Sequence, residues 1–485
     1  MLMPMMRKEL FSQLGLTTAL RDVVLCGITK CTHSPRAKVF LPIMKNTIHT
    51  ISSVLCALAI ALPFSAGLHA EEVVIHAGML LASPGSKPKA EQSIVIVDGI
   101  IRAIRDGYID ADSTENPARI IDLSKQFVMP GFIDLHVHLS GQYGDNKPND
   151  DVTQSDADVA LNAAMYANRT LLAGFTTLRD LGSRGEPLYA LRDAIRDNKV
   201  PGPRLLVSGP AITPTGGHGD EHGYRAEILE LLTSSAVCDG ADDCRRAVRQ
   251  AVKLGADVIK VTATGGVLSN TATGTGQQFT DAELKAIAET AHALGRKVTA
   301  HAHAKEGIIA AANAGFDSIE HAMWADEETL KLLKRLDVWV IPTVYPITYV
   351  GDTPEKMRQG PLKNLPPASM TKLLALGQQP KDMTRLAHQM GVKIALGTDS
   401  AISPHGENAH EFIEYVSAGM TPMEALQAGT VNAAEAAGIS NVTGSIVVGK
   451  AADIVGLGSS PLDSIDAVLD VRFVMRDGSV FKDEK

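Results

Sequence analysis

Five histidines, one lysine and one aspartate stand at the ends of apolar runs in this chain: His136, His138, His301, His303, His321, Lys260 and Asp399. His136 and His138 close the run that starts Phe132-Ile133-Asp134-Leu135. That run reads as a buried strand, on which side chains two apart project to the same side. Two imidazoles on one side of a buried strand end lack partners unless a cation lies between them. Alone, the His-x-His pattern fits a structural or surface pair better than a metal site. His301 and His303 repeat the spacing, His321 closes Phe316-Asp317-Ser318-Ile319-Glu320, and Asp399 closes Val392 to Thr398. Lys260 interrupts the apolar run Asp257 to Val261. A buried unpaired ammonium is costly. Either a carboxylate pairs it, or the neutral amine takes up carbon dioxide beside two divalent ions and bridges them as a carbamate.

The elements that must position these residues alternate eight times. Candidate strands are 132–138, 175–181, 204–209, 257–263, 297–303, 317–321, 338–344 and 393–399. Helical stretches fill the gaps at 156–173, 186–197, 242–254, 281–294, 305–314, 326–336, 366–390 and 408–420. Thr280-x-x-Glu283 and Thr421-Pro422-x-Glu424 have capping-box form. Eight such units predict an α/β fold of the (β/α)8 TIM-barrel type, whose site lies at the C-terminal strand ends. A doubly wound sheet is the alternative, but no glycine-rich nucleotide motif follows the first strand. The flanks, 71–129 and 439–485, are rich in short strands and are expected to build one small β-sandwich around the barrel at 130–438.

The 485 residues carry a net charge of −9 with no basic block, which argues against nucleic acid as a partner. Residues 1–70 read as an N-terminal extension and signal peptide. From Met44 a short positive region, an apolar core from Ile51 to Phe64 and small residues up to Ala70 predict a true start at Met44 and cleavage after Ala70. The core is too short, and too interrupted by Pro63, for a stable membrane span. The expected location is secreted, in the periplasm. Cys238 and Cys244 then remain in the mature chain, and an oxidising compartment favours a disulfide between them over two free thiols. No coiled-coil seam is present, so a homo-oligomer is left open.

His-x-His on strand one, Lys on four, His on five and six and Asp on eight, in that order, resemble the amidohydrolase superfamily in its binuclear form. The resemblance spans the mature chain. It implies that His136, His138 and Asp399 hold one divalent ion and His301 and His321 the other, with carboxylated Lys260 as bridge and zinc as the default metal. It further implies a metal-activated water, with Asp399 accepting its proton and passing it to the leaving amine. Gly216-Gly217-His218-Gly219-Asp220, Gly265-Gly266-Val267, Gln278-Phe279-Thr280 and Gly397-Thr398-Asp399-Ser400 are similar to strings in Xaa-Pro and Xaa-Arg dipeptidases and ochratoxin-hydrolysing enzymes.

The expected substrate is therefore a small molecule or dipeptide: an N-acyl amino acid or dipeptide with a free carboxylate. His218 and His303 are candidates for binding substrate and stabilising the oxyanion. Tyr224, Arg225 and Arg179 are candidates for pairing the carboxylate, although a structural role fits each of them too. His405 reads as structural, and the acidic loop 140–155 as a lid or a solvated loop. The Met and Leu residues of 366–390 are expected to face the core. The rival readings are a lactonase, cyclic amidase or deaminase on the same scaffold, and a periplasmic metal-binding protein without turnover.

Overall fold

The structure is a computed structural model that describes residues 72–114, 118–143, 150–269 and 274–484. The expected extension, signal peptide and Met44 start lie outside the described residues, as does the middle of the acidic loop. Strands β1 Glu72–Leu80, β2 Lys89–Val97, β3 Ile100–Asp106 and β4 Arg119–Pro130 come from one end of the chain. From the far end come β12 Ile454–Leu457, β13 Val471–Arg476 and β14 Ser479–Asp483. They pair as one seven-stranded sheet, in the order β14-β13-β12-β4-β1-β2-β3, rather than as two facing sheets. The sheet curls instead. Ile101 N donates to Lys450 O and Ala452 N to Gly99 O, which brings edge strand β3 to the segment ahead of β12. Ile75, Ile94, Ile101, Ile454 and Phe473 share the core that results. Residues 444–446, within the flank expected to be rich in strands, form none.

Between the two ends, strands are parallel and buried on both faces, which is why their sequences are nearly continuous apolar runs. β5 Phe132–Val137, β6 Phe175–Asp180 and β7 Arg204–Val207 form a three-stranded sheet. β8 Val258–Thr262, β9 Lys297–Ala302, β10 Ser318–His321 and β11 Trp339–Ile341 form a four-stranded one. The expected eighth strand, 393–399, makes isolated bridges and no ladder. Val340 N donates to Lys393 O and Ala395 N to Val340 O on one side, and Leu135 N to Leu396 O and His138 N to Ser400 O on the other. Between β7 and β8, Ile212 N donates to Lys260 O, and Thr262 N to Ile212 O.

Helices pack outside these strands through stripes of small and aliphatic residues. The helix Ala241–Leu254 buries Cys244, Ala247 and Val248, spaced three and four apart, and ends at Gly255 in the left-handed region. Both expected capping boxes are present, at Thr280 with Glu283 and at Thr421 with Glu424. The stretch 366–390 is two helices, Pro367–Leu376 and Gln379–Gln389, broken at Gly377, whose φ of +52° ends the first.

Candidate active site

His136, His138, Lys260, His301, His303, His321 and Asp399 meet His218 in one cavity of about 380 Å³. Lys260 comes from the middle of β8 and His218 from the loop after β7; the others arrive from a strand end or the turn after it. At two of these turns the backbone itself is bent into the left-handed region, with φ of +71° at His321 and +54° at Asp399. Non-glycine residues rarely adopt this conformation, and it persists only where the surroundings over-determine it. Gly397 allows the close approach of the eighth segment: a side chain there would collide with Ile341 and crowd His136.

Buried partners set which ring nitrogen faces the cavity. Nδ1 of His136 lies 2.9 Å from Glu320 Oε2, leaving Nε2 3.4 Å from Lys260 Nζ and 3.5 Å from Asp399 Oδ1. His321 Nδ1 lies 2.7 Å from the Thr343 hydroxyl, which itself donates to Pro342 O. That arrangement makes Nδ1 the donor and leaves the His321 Nε2 lone pair free. His138 Nε2 sits 3.1 Å from Asp399 Oδ1, with 30 % of its side chain exposed. Among the described residues, His301 Nε2, His303 Nδ1 and His218 Nδ1 are buried without a hydrogen-bond partner.

Electrostatics favour neutral rings and a charged aspartate. Burial pushes His136 down to about 4 and His218 and His303 to about 3, and holds His301 and His321 well below the ordinary histidine range. Burial also lowers Lys260 to about 8, against the pull of Glu320 and Asp399. For Asp399 burial acts upward, but His136, His138 and His321 hold it well below the usual carboxylate range.

Orphaned ring nitrogens, neutral imidazoles and an ionised carboxylate are the donor set that divalent cations require. His301, His303 and His321 form one triad able to hold an ion, and His136, His321 and Asp399 another, the ligand atoms of each lying within 4.8 Å of one another. His321 stands in both triads, and His303 lies beside His301 in the first.

The remaining candidates fall elsewhere. Tyr224 and Arg225 are not brought to the cavity lining; Arg225 is exposed, 4.0 Å from Glu227, at the start of the helix Ala226–Leu232. Arg179 is buried behind the cluster. Its Nη2 donates to Glu320 Oε1 at 2.8 Å and its Nε to Leu135 O at 2.6 Å. His405 has both ring nitrogens engaged, with Ser400 Oγ and Gly141 O. Cys238 and Cys244 are joined in a disulfide.

Two carboxylates that sequence reasoning passed over support the cluster. Burial pushes Glu320 up, but Arg179 and His136 prevail and hold it at about 2. Asp134 is fully buried and accepts from His136 N, Thr398 N, Thr398 Oγ1 and Asn408 Nδ2, tying β5 to the eighth segment. Their signal was an acidic residue two before a histidine (Asp134) or directly before one (Glu320), inside an apolar run. Also unforeseen is an apolar wall to the same cavity. It is made by Val267, Leu268 and Met323 together with Ile347, Val350, Leu362, Leu373 and Leu376.

Parallel strands and the turns after them bring imidazoles, an amine and a carboxylate to a single cavity, so the protein is of the α/β class with side chains that could hold a metal ion. The chain belongs to the amidohydrolase family, whose model matches residues 127–481. It is 34% identical over 439 residues to ochratoxinase of Aspergillus niger, covering 85% of this chain and 87% of that one. The crystal structure of a Xaa-Pro dipeptidase with methionine bound in its active site superposes with a TM-score of 0.77 at 34% identity, covering 85% of this chain and all of that one. The crystal structure of the A. niger ochratoxinase does so with a TM-score of 0.74 at 32% identity, covering 86% and 96%. The protein is accordingly a hydrolase acting on amide bonds.

Proposed function

We propose that the protein is a secreted binuclear metallo-amidohydrolase that cleaves the amide bond of a dipeptide or N-acyl amino acid with a free carboxylate. The observation that carries this reading is the convergence of His136, His138, Lys260, His301, His321 and Asp399 on one cavity. Similarity to an ochratoxinase and to a dipeptidase with an amino acid in its active site supports the substrate class. The hydrogen bonds that link Ile212, after β7, to β8 and both β11 and β5 to the 393–400 segment support a single closed (β/α)8 barrel. The disulfide and the apolar stretch before Ala70 support secretion to the periplasm, which N-terminal sequencing of the mature protein tests.

Two divalent ions, zinc by ligand type, would polarise the scissile carbonyl and supply a nucleophilic water near neutral pH. His136, His138 and Asp399 would hold one and His301 and His321 the other, all of them lining the cavity, with the His303 ligand atom within 4.8 Å of those of His301 and His321. Lys260, lowered toward neutrality by burial, could add carbon dioxide through its lone pair with loss of one proton, and the carbamate would then offer the ions an anionic ligand. Asp399, ionised and beside both His136 and His138, takes a proton at Oδ1 as attack begins and returns it to the leaving nitrogen. His218 and His303 line the same cavity and donate ring N–H bonds to the developing oxyanion or to the substrate carboxylate.

The test is Lys260→Ala, assayed after metal reconstitution on Xaa-Pro, Xaa-Arg, Xaa-Phe and N-acyl-Phe substrates. Metal stoichiometry and turnover are expected to fall together. Two tightly bound ions with full turnover in this variant would sink the carbamate, and turnover of lactones alone would sink the substrate class.

A further inference from the structure

We infer that the apolar wall is a selectivity pocket that takes a branched aliphatic or aromatic side chain of the substrate and rejects a cationic one, a claim that rests on the amide-hydrolase reading above. Val267, Ile347, Val350, Leu362, Leu373 and Leu376 line the same cavity as the histidines and pack into one hydrophobic cluster. Among the described residues that line the cavity, Asp399 is the sole carboxylate, and His136 and His138 already hold it. A guanidinium or ammonium entering on the apolar side would lose its water and gain no anionic partner there. A leucine or phenylalanine side chain would instead leave water for a matching surface.

The wall is pre-formed rather than assembled by the substrate. On one side, the buried Glu411 carboxylate accepts from Val344 N at 2.8 Å and Tyr345 N at 2.7 Å, fixing the start of the helix Tyr345–Val350 that carries Ile347 and Val350. On the other, Lys372 Nζ donates to Gly266 O at 2.6 Å and Ser269 O at 2.5 Å, and Ser369 Oγ donates to Leu268 O at 3.0 Å. These bonds pin the helix Pro367–Leu376, with Leu373 and Leu376, to the loop after β8. The loop in turn abuts His218, since a side chain at Gly266 would collide with that ring. Lys372 is spent on loop carbonyls and does not line the cavity. A wall held this way discriminates without a prior closing step.

The experiment measures kcat/KM of the metal-reconstituted protein on dipeptides and N-acyl amino acids that carry Ala, Leu, Phe, Lys or Arg on each side of the amide. Wild type is compared with Leu373→Glu and Leu376→Ala, with metal content and circular dichroism measured in parallel. For wild type, Leu or Phe on one side is expected to exceed Ala by at least roughly tenfold and Lys or Arg by more. Leu373→Glu should reverse the order between Leu and Lys at unchanged metal content. If its fold is lost, Leu376→Ala decides, by narrowing the Leu-to-Ala ratio. Equal use of Arg and Leu by wild type, or unaltered preference in folded variants, overturns the pocket alone. Failure on every amide overturns the amide reading and the pocket with it.

Discussion

Chelation of the bound ions should turn the histidine cluster into an acid-labile core. In the metal-free protein, burial lowers His136 to about 4 and His218 and His303 to about 3, and holds His301 and His321 well below 6.5. A histidine with a depressed folded pKa stays neutral in the native state while the unfolded chain binds a proton. Stability from such a group is complete above the unfolded pKa of about 6.5 and is lost as pH falls below it. At pH 5 the loss is about 2 kcal/mol per ring, from roughly 1.5 pH units at 1.36 kcal/mol each. Asp134 works the other way. Burial raises it to about 6 against four hydrogen bonds, so acidification to pH 5 returns about 1 kcal/mol. His136, His218 and His303 alone, at about 2 kcal/mol each, reach the lower end of the stability of a typical protein, about 5–15 kcal/mol. The assay is thermal unfolding of chelated and reloaded protein from pH 8 to 5. The chelated form should hold its Tm above pH 7 and fall steeply below 6.5, whereas bound ions should flatten the profile. A chelated protein with the same Tm at pH 7.5 and pH 5 would refute the buried, neutral imidazoles on which the metal site depends.

Glu320→Gln leaves the Arg179 guanidinium buried without its carboxylate and removes the partner of His136 Nδ1. It should cost about 3–5 kcal/mol in urea unfolding and lower the metal content; wild-type values for both would show that the pair does not orient His136. The Cys238–Cys244 bridge closes a loop with a sequence separation of only 6, so its constraint on the unfolded chain is modest. Reduction, or the double change to alanine, should cost about 2 kcal/mol with little effect on kcat/KM. An unmoved urea midpoint under reductant would contradict this.

The chemistry was legible where one strand period carries it. His136 with His138, and His301 with His303, announce themselves because alternation on a buried strand puts both side chains on one side, and Lys260 because an ammonium has no ordinary place in such a run. The eighth segment was legible for its aspartate but not for its geometry. Asp399 takes a left-handed backbone, and 393–400 makes bridges without a ladder, neither of which a pattern of apolar residues encodes. The small domain was legible as strands from both ends but not as one curled sheet, because pairing order depends on contacts far apart in sequence. Arg179 reads as a carboxylate binder when its partner Glu320, 141 residues away, is unknown.

The apolar wall was hidden for a different reason. Leu373 and Leu376 fall on a stretch that reads as one long helix with its apolar face to the core; they are buried in a hydrophobic cluster as expected, but that cluster also lines the cavity. Chemistry and selectivity are thereby held by separate sets of buried groups. Glu320 and Asp134 brace His136 and the eighth segment from beneath, whereas Glu411 and Lys372 brace the wall from its flanks. A change at Leu373 or Leu376 need not disturb a metal-ligating atom, and a change at Glu320 need not reshape the wall. Because the two supports share no side chain, effects of paired substitutions across them should add, as independent sites do.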